Sequence, residues 1–204
     1  MGSGNKWILL ANAYDPSYIR NSLVYDLAQS VGLPYTSQLR YVDLYINGEY
    51  RGNYQLAEKI DIGSGRVDIN NLQKENEKVN PPDYRENPGF RDDTGAKGIA
   101  DMENPADITG GYLLERNRGK RYGDKTSGFV TWAGEPFVVR SPSYASREEV
   151  AYIAEVTQHV ENAILAVDGI DPDTGLFYTE LLDEASFVGK YLLEEITLNE
   201  DSGS

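Results

Sequence analysis

The chain has 204 residues, with 33 Asp and Glu against 19 Lys and Arg, one histidine, no cysteine and a formal net charge of −14. This composition excludes disulfides, thiolate chemistry and any multi-histidine or cysteine-based metal site. No apolar run approaches the ~18 residues of a membrane-spanning helix. An acidic surface repels nucleic-acid phosphate over most of its area and suits a cationic partner better.

In chain order, Met1–Gly4 has no apolar stretch and does not read as a signal peptide. Trp7–Ala11 is a short apolar run expected to form a buried strand. Asp15 reads as a helix N-cap with Pro16 at the first helical position. Ile19, Leu23, Leu27 and Val31 follow at helical spacing before Gly32 and Pro34. Tyr41–Ile46 alternates as a strand, Asn47-Gly48 is a strong hairpin signal, and Tyr50–Ile60 is the returning strand, with a bulge expected at Gly52. Arg66–Ile69 reads as one more short strand.

Residues 73–109, rich in Pro, Gly, Asn and Asp and poor in apolar positions, read as a long mobile insertion without elements of its own. Strands are expected again over Tyr112–Arg116, Phe129–Ala133 and Pro136–Arg140. Ser146 and Glu149 form a capping box for a helix with Val150, Ile153, Val156, Val160, Ile164 and Val167 on one stripe. A short helix over Phe177–Leu182 follows. Asp183 caps a last helix expected to turn Phe187, Tyr191, Leu192 and Ile196 inward. Strands early and helices late predict an α+β fold, an antiparallel sheet lobe followed by a helical lobe.

Four places could carry chemistry. The turn with Gly48 and Gly52 could let backbone N–H groups approach a phosphate, or be only a type I′ hairpin with a bulge. Glu58-Lys59 could supply a phosphate-holding lysine and its carboxylate partner, or be a surface pair. Glu58 and Glu115 could alternatively be the acid and base of a carboxylate-pair hydrolase. Asn199-Glu200-Asp201, after the last helix, offers an amide and a base in one loop, or a plain helix C-cap. His159 reads as part of a solvated helix face. Asp171-Pro172-Asp173-Thr174-Gly175 has the start of a calcium loop but Leu182 where the late acidic ligand would stand, and so reads as a turn.

Lys6–Asn12 through Asp15, Ile19, Arg20 and Asn21 resembles the start of the CotH family of atypical, secreted-type protein kinases. Val42–Tyr54 with Glu58 is similar to that family's central Asn-Gly-Glu-Tyr-x-Gly-x-Tyr block, and Gly110–Glu115 to the next. Tyr191–Asp201 is similar to the helix leading into its Asn-x-Asp segment. The resemblance spans residues 5–201 as one kinase-like domain apart from the 73–109 insertion, with 202–204 as a tail or truncation point. It implies a divergent protein-kinase-like fold with an antiparallel β-rich N-terminal lobe and the start of a helical lobe. It also implies ATP and Mg²⁺ as cofactors and phosphoryl transfer to Ser of a surface or spore-coat protein. By resemblance Asp201 lies near the acceptor hydroxyl and Asn199 supports its loop. Gly48, Arg51 and Gly52 flank the nucleotide entrance, with Glu58 and Lys59 as phosphate-holding pair. Glu115 stands where a lysine is expected in spore-coat members. The chain ends before the family's Trp-Asp-x-Asp segment, so it is expected to be a piece of a longer protein and inactive alone. A non-catalytic cell-surface binding module is the competing reading.

Overall fold

The computed structural model describes residues 6–87, 89–91, 95–117 and 127–199. In chain order these form β1 (Trp7–Leu10), α1 (Arg20–Ser30), β2 (Leu39–Ile46), β3 (Glu49–Glu58), α2 (Leu72–Val79) and a 3-10 turn at Pro82–Glu86. Then come β4 (Gly89–Arg91), β5 (Lys97–Ile99), β6 (Leu113–Arg116), β7 (Ser127–Val130), β8 (Pro136–Ser141), α3 (Arg147–Leu165), α4 (Tyr178–Leu181) and α5 (Glu184–Thr197). The fold is α+β, with two antiparallel sheets and five α-helices among the described residues. The chain divides into two compact units. One runs through Asp68 and resumes at Glu184; the other is Ile69–Asp183.

The first unit carries a three-stranded sheet in the order β1-β3-β2. Asn47 and Gly48 both have positive φ, 52° and 83°, and Ile46 pairs directly with Glu49, which defines a two-residue type I′ turn. Leu44 pairs with Gly52 but Tyr45 with Tyr50, so the extra residue of the bulge is Arg51, one position before the Gly52 at which it is expected. The first helix starts five residues after Asp15, not at Pro16. Asp15 instead closes a turn: its Oδ1 accepts from Ser17 N–H and Ser17 Oγ, and its Oδ2 from Arg20 N–H at 3.0 Å. The Ser17 hydroxyl is the main influence holding its carboxyl below the usual range, against the opposing effect of burial. Asn21 Nδ2 then reaches Asn12 Oδ1 and Gln55 Oε1, while Gln55 Nε2 donates to the Tyr18 carbonyl at 2.7 Å. Gln55 is fully buried. The polar residues at the start of the chain thus pin α1 onto β3. Arg66–Ile69 is not a strand; only a parallel bridge between Ile62 and Val67 forms there.

α5 packs on α1 within this unit. Gly189 and Leu193 are its buried residues, whereas Phe187, Tyr191, Leu192 and Ile196, expected inward, are all exposed.

The second unit holds a five-stranded sheet in the order β4-β5-β7-β8-β6. Its core is Phe129, Val139, Ala145 and Val150, with Phe129 stacked on Phe137 at 5.4 Å between ring centroids. Tyr84, Ile99 and Met102 form a second cluster. Residues 73–109 are therefore not a loop lacking elements: they contribute most of α2, a 3-10 turn and two strands. Tyr84, Ile99 and Met102 there are buried, Val79 is exposed, and polar residues join the buried ones. Asn80 Nδ2 donates to the Glu103 carbonyl, and Glu103 N–H returns to Asn80 Oδ1, both at 2.8 Å. β5 is stitched to the start of α3 by Ile99 N–H donating to the Ala145 carbonyl at 2.8 Å. Gly98 permits this approach, since a Cβ there would lie 2.6 Å from the Ser146 carbonyl oxygen. The capping box at Ser146 and Glu149 forms as expected. The stripe it opens is buried at Val150 but exposed at Val156, Ile164 and Val167. Both units mix strands and helices, so the expected order of a sheet lobe and then a helical lobe does not describe them.

Candidate functional site

The hairpin between β2 and β3 presents its backbone openly: a Cβ built on Gly48 would meet nothing within 4 Å among the described residues. Gly48 and Gly52 both hold left-handed φ, which an L side chain rarely adopts. Arg51, bulged between them, pairs with Glu49 at 2.6 Å while both side chains stay largely exposed. A pair of this kind is worth under ~1 kcal/mol, so an incoming phosphate competes for the guanidinium at low cost.

Further along β3, Glu58 is buried at 2% exposure, and its Oε2 accepts from Gln38 N–H at 3.3 Å. Lys59, one residue beyond the strand, is exposed. Its backbone N–H donates to the Lys6 carbonyl, and its own carbonyl accepts from Arg66 Nη1 at 2.6 Å. Arg66 also donates to the Lys6 carbonyl and lies over the Trp7 ring at 5.5 Å. This buried arginine is a clamp on the ends of β1 and β3. Sequence reading assigned it only to a short strand, because nothing local marks a guanidinium that will reach two distant carbonyls.

α5 ends with Leu198 in the left-handed region, φ 50°, and Asn199 N–H donating to the Glu194 carbonyl at 3.2 Å. Asn199 is exposed. The helix is closed by backbone hydrogen bonds, and the Asn199 side chain is not the left-handed cap itself. Asp201 lies outside the described residues.

Glu115 belongs to the second unit, on edge strand β6. Its carboxylate pairs with Arg140 and accepts from Asn117 Nδ2 at 3.1 Å. The Arg140 guanidinium holds its carboxyl below the usual range, outweighing the effect of burial. The structure thus groups Gly48, Arg51, Gly52, Glu58, Lys59 and Asn199 in one unit and Glu115 in the other.

His159 is not part of a wholly solvated face. Its Nδ1 lies 2.9 Å from Oδ2 of Asp171, whose side chain is fully buried. Only the turn at 171–175 brings that carboxylate back to α3, and helical spacing around His159 gives no sign of it.

The profile of a family described as CotH kinase protein matches residues 1–203. No curated protein and no solved structure matches the chain.

Proposed function

Because the chain belongs to the CotH kinase family, we propose that it is the nucleotide-handling part of a divergent protein-kinase-like domain. The reaction is transfer of the γ-phosphoryl group of Mg²⁺–ATP to a serine hydroxyl of a surface or spore-coat protein. The observation that supports this reading best is the β2–β3 hairpin. An open type I′ turn with an exposed arginine at its bulge is a donor set that fits phosphate oxygens. Backbone N–H groups around Gly48 and Gly52 would hold the phosphates, with Arg51 and Lys59 supplying positive charge. Asp201 would accept the serine proton, and Asn199 would position its loop. In such a reaction the protein's work is positioning and charge stabilisation, and the nucleotide and metal supply the transferable group and its neutralisation.

The test is label transfer from ATP by the full-length gene product in the presence of Mg²⁺, beside Arg51→Ala and Asp201→Asn variants. Transfer that is lost in Asp201→Asn and weakened at least tenfold in Arg51→Ala supports the reading. Folded proteins that incorporate no label and gain no thermal stability from Mg²⁺–ATP overturn it. The second reading, a protein-binding module, is favoured by Trp132, which is 82% exposed at the β7–β8 turn. Its loop is held rigid by Trp132 N–H donating to Gln158 Oε1 at 2.9 Å and Thr131 Oγ1 to Glu161 Oε1 at 2.6 Å. A rigid exposed indole is a common anchor at protein interfaces.

A further inference from the structure

We infer that His159, Asp171 and Asp173 form a structural site for a first-row divalent cation of the Mn²⁺ or Zn²⁺ type, joining α3 to the turn that follows it. One ligating atom from each residue lies within 4.8 Å of the other two. Neighbouring ligands around such an ion at ~2.1 Å sit roughly 3.0–3.4 Å apart. A shift of the exposed Asp173 side chain closes the remaining gap. The inference is independent of the kinase reading and uses none of its residues.

Two observations carry it. The first is an orphaned ring nitrogen. His159 Nδ1 is shielded from solvent and 2.9 Å from Asp171 Oδ2, yet it makes no hydrogen bond to it. Either the in-plane axis of the nitrogen misses the carboxylate oxygen or the nitrogen carries no proton to donate, and both leave it open to a metal ion. Ligands that converge on a shared third point make no hydrogen bond to each other, whereas a His–Asp pair that serves itself does. The second observation is charge. Asp171 is fully buried and Asp173 stands beside it, but neither forms an ion pair with Lys or Arg among the described residues. Glu155 adds a third carboxylate 3.8 Å from the other ring nitrogen. Donors from Thr174 and Asn162 offset the burial of Asp171, but Asp173 and Glu155 add carboxylates around the same point that a cation would balance.

The surrounding hydrogen bonds orient the carboxylates as an outer shell would. Thr174 N–H and Oγ1 donate to Asp171 Oδ2, and Asn162 Nδ2 bridges Asp171 Oδ1 and Asp173 Oδ2 at 3.2 and 3.3 Å. An imidazole nitrogen beside two carboxylates selects a first-row ion over Ca²⁺ or Mg²⁺, which prefer oxygen alone.

The test uses tag-free protein stripped with chelator and titrated calorimetrically with ZnCl₂, MnCl₂, CaCl₂ and MgCl₂, with melting followed in parallel. The expected result is one-to-one binding of Zn²⁺ or Mn²⁺ that raises the melting temperature. Asp173→Asn and His159→Gln should each weaken binding at least tenfold. Asp173 is exposed, so its metal-free variant should melt with the parent. Absence of one-to-one binding, or equal affinity in Asp173→Asn, overturns the inference.

Discussion

Glu149 is fully buried and only half satisfied. Its Oε2 accepts Ser146 N–H at 2.8 Å and Asn76 Nδ2 at 3.1 Å, while Oε1 has no hydrogen-bond partner among the described residues. Burial pushes its carboxyl above the usual range, against the pull of those two donors. A folded value above the unfolded one means that its contribution to stability is complete below the ordinary glutamate range. That contribution is lost as pH rises through the raised value. Glu149→Gln keeps an oxygen for Ser146 and removes the titration, so urea unfolding between pH 4 and 8 should show the parent losing stability relative to it as pH rises. Glu149→Ala removes the capping box and strands Asn76, costing about 2–4 kcal/mol in the same assay. Glu115 is the opposite case. Its partner Arg140 is exposed, and Glu115→Gln should change stability by less than about 1 kcal/mol. A larger loss would mean that Glu115 supports more than this surface pair.

Among the elements, those with strictly local signals were legible in the sequence. Asn47-Gly48 fixes its turn because Asn and Gly are among the few residues that suit two successive left-handed positions, and Ser146 with Glu149 closes its own ring of hydrogen bonds. α1 was misplaced because Asp15 has the chemistry of a cap but spends it on the turn ahead of the helix. Within α5, periodicity marked an apolar face, yet the face buried is the one with Gly189 and Leu193. Residues 73–109 were missed because their anchors are single residues, Tyr84, Ile99 and Met102, separated by polar stretches whose amides bond internally. The candidate hairpin was legible for the same local reason as its turn, whereas the His159–Asp171 contact depends on a fold-back that no local pattern encodes. β5 is the sharpest test of the reassigned segment. Gly98→Ala places a methyl group within 2.6 Å of the Ser146 carbonyl and 2.7 Å of Arg147 Cα, both backbone atoms. It should destabilise the protein by about 1–3 kcal/mol, measured by chemical denaturation. A neutral result would mean that β5 does not lie against the start of α3.

At the scale of the whole molecule, a net charge of −14 makes self-repulsion a general term. Raising NaCl from about 10 to 150 mM shortens the screening length from roughly 30 to 8 Å. The melting temperature should rise by about 2–4 °C if the relief is worth ~1 kcal/mol; a flat or falling response would mean that attractive pairs such as Lys6–Asp61 at 2.8 Å outweigh the repulsion. The division of the chain has its own consequence, for the order in which the protein can be made. Residues 69–183 are one uninterrupted stretch, but the unit that begins the chain recruits α5 from beyond them. On the ribosome, a nascent chain halted after Asp183 already contains everything the second unit needs. Its first unit still lacks the helix that covers α1. The part synthesised first is therefore the part completed last, and until α5 emerges, the exposed flank of α1 is the surface a nascent-chain chaperone would shield.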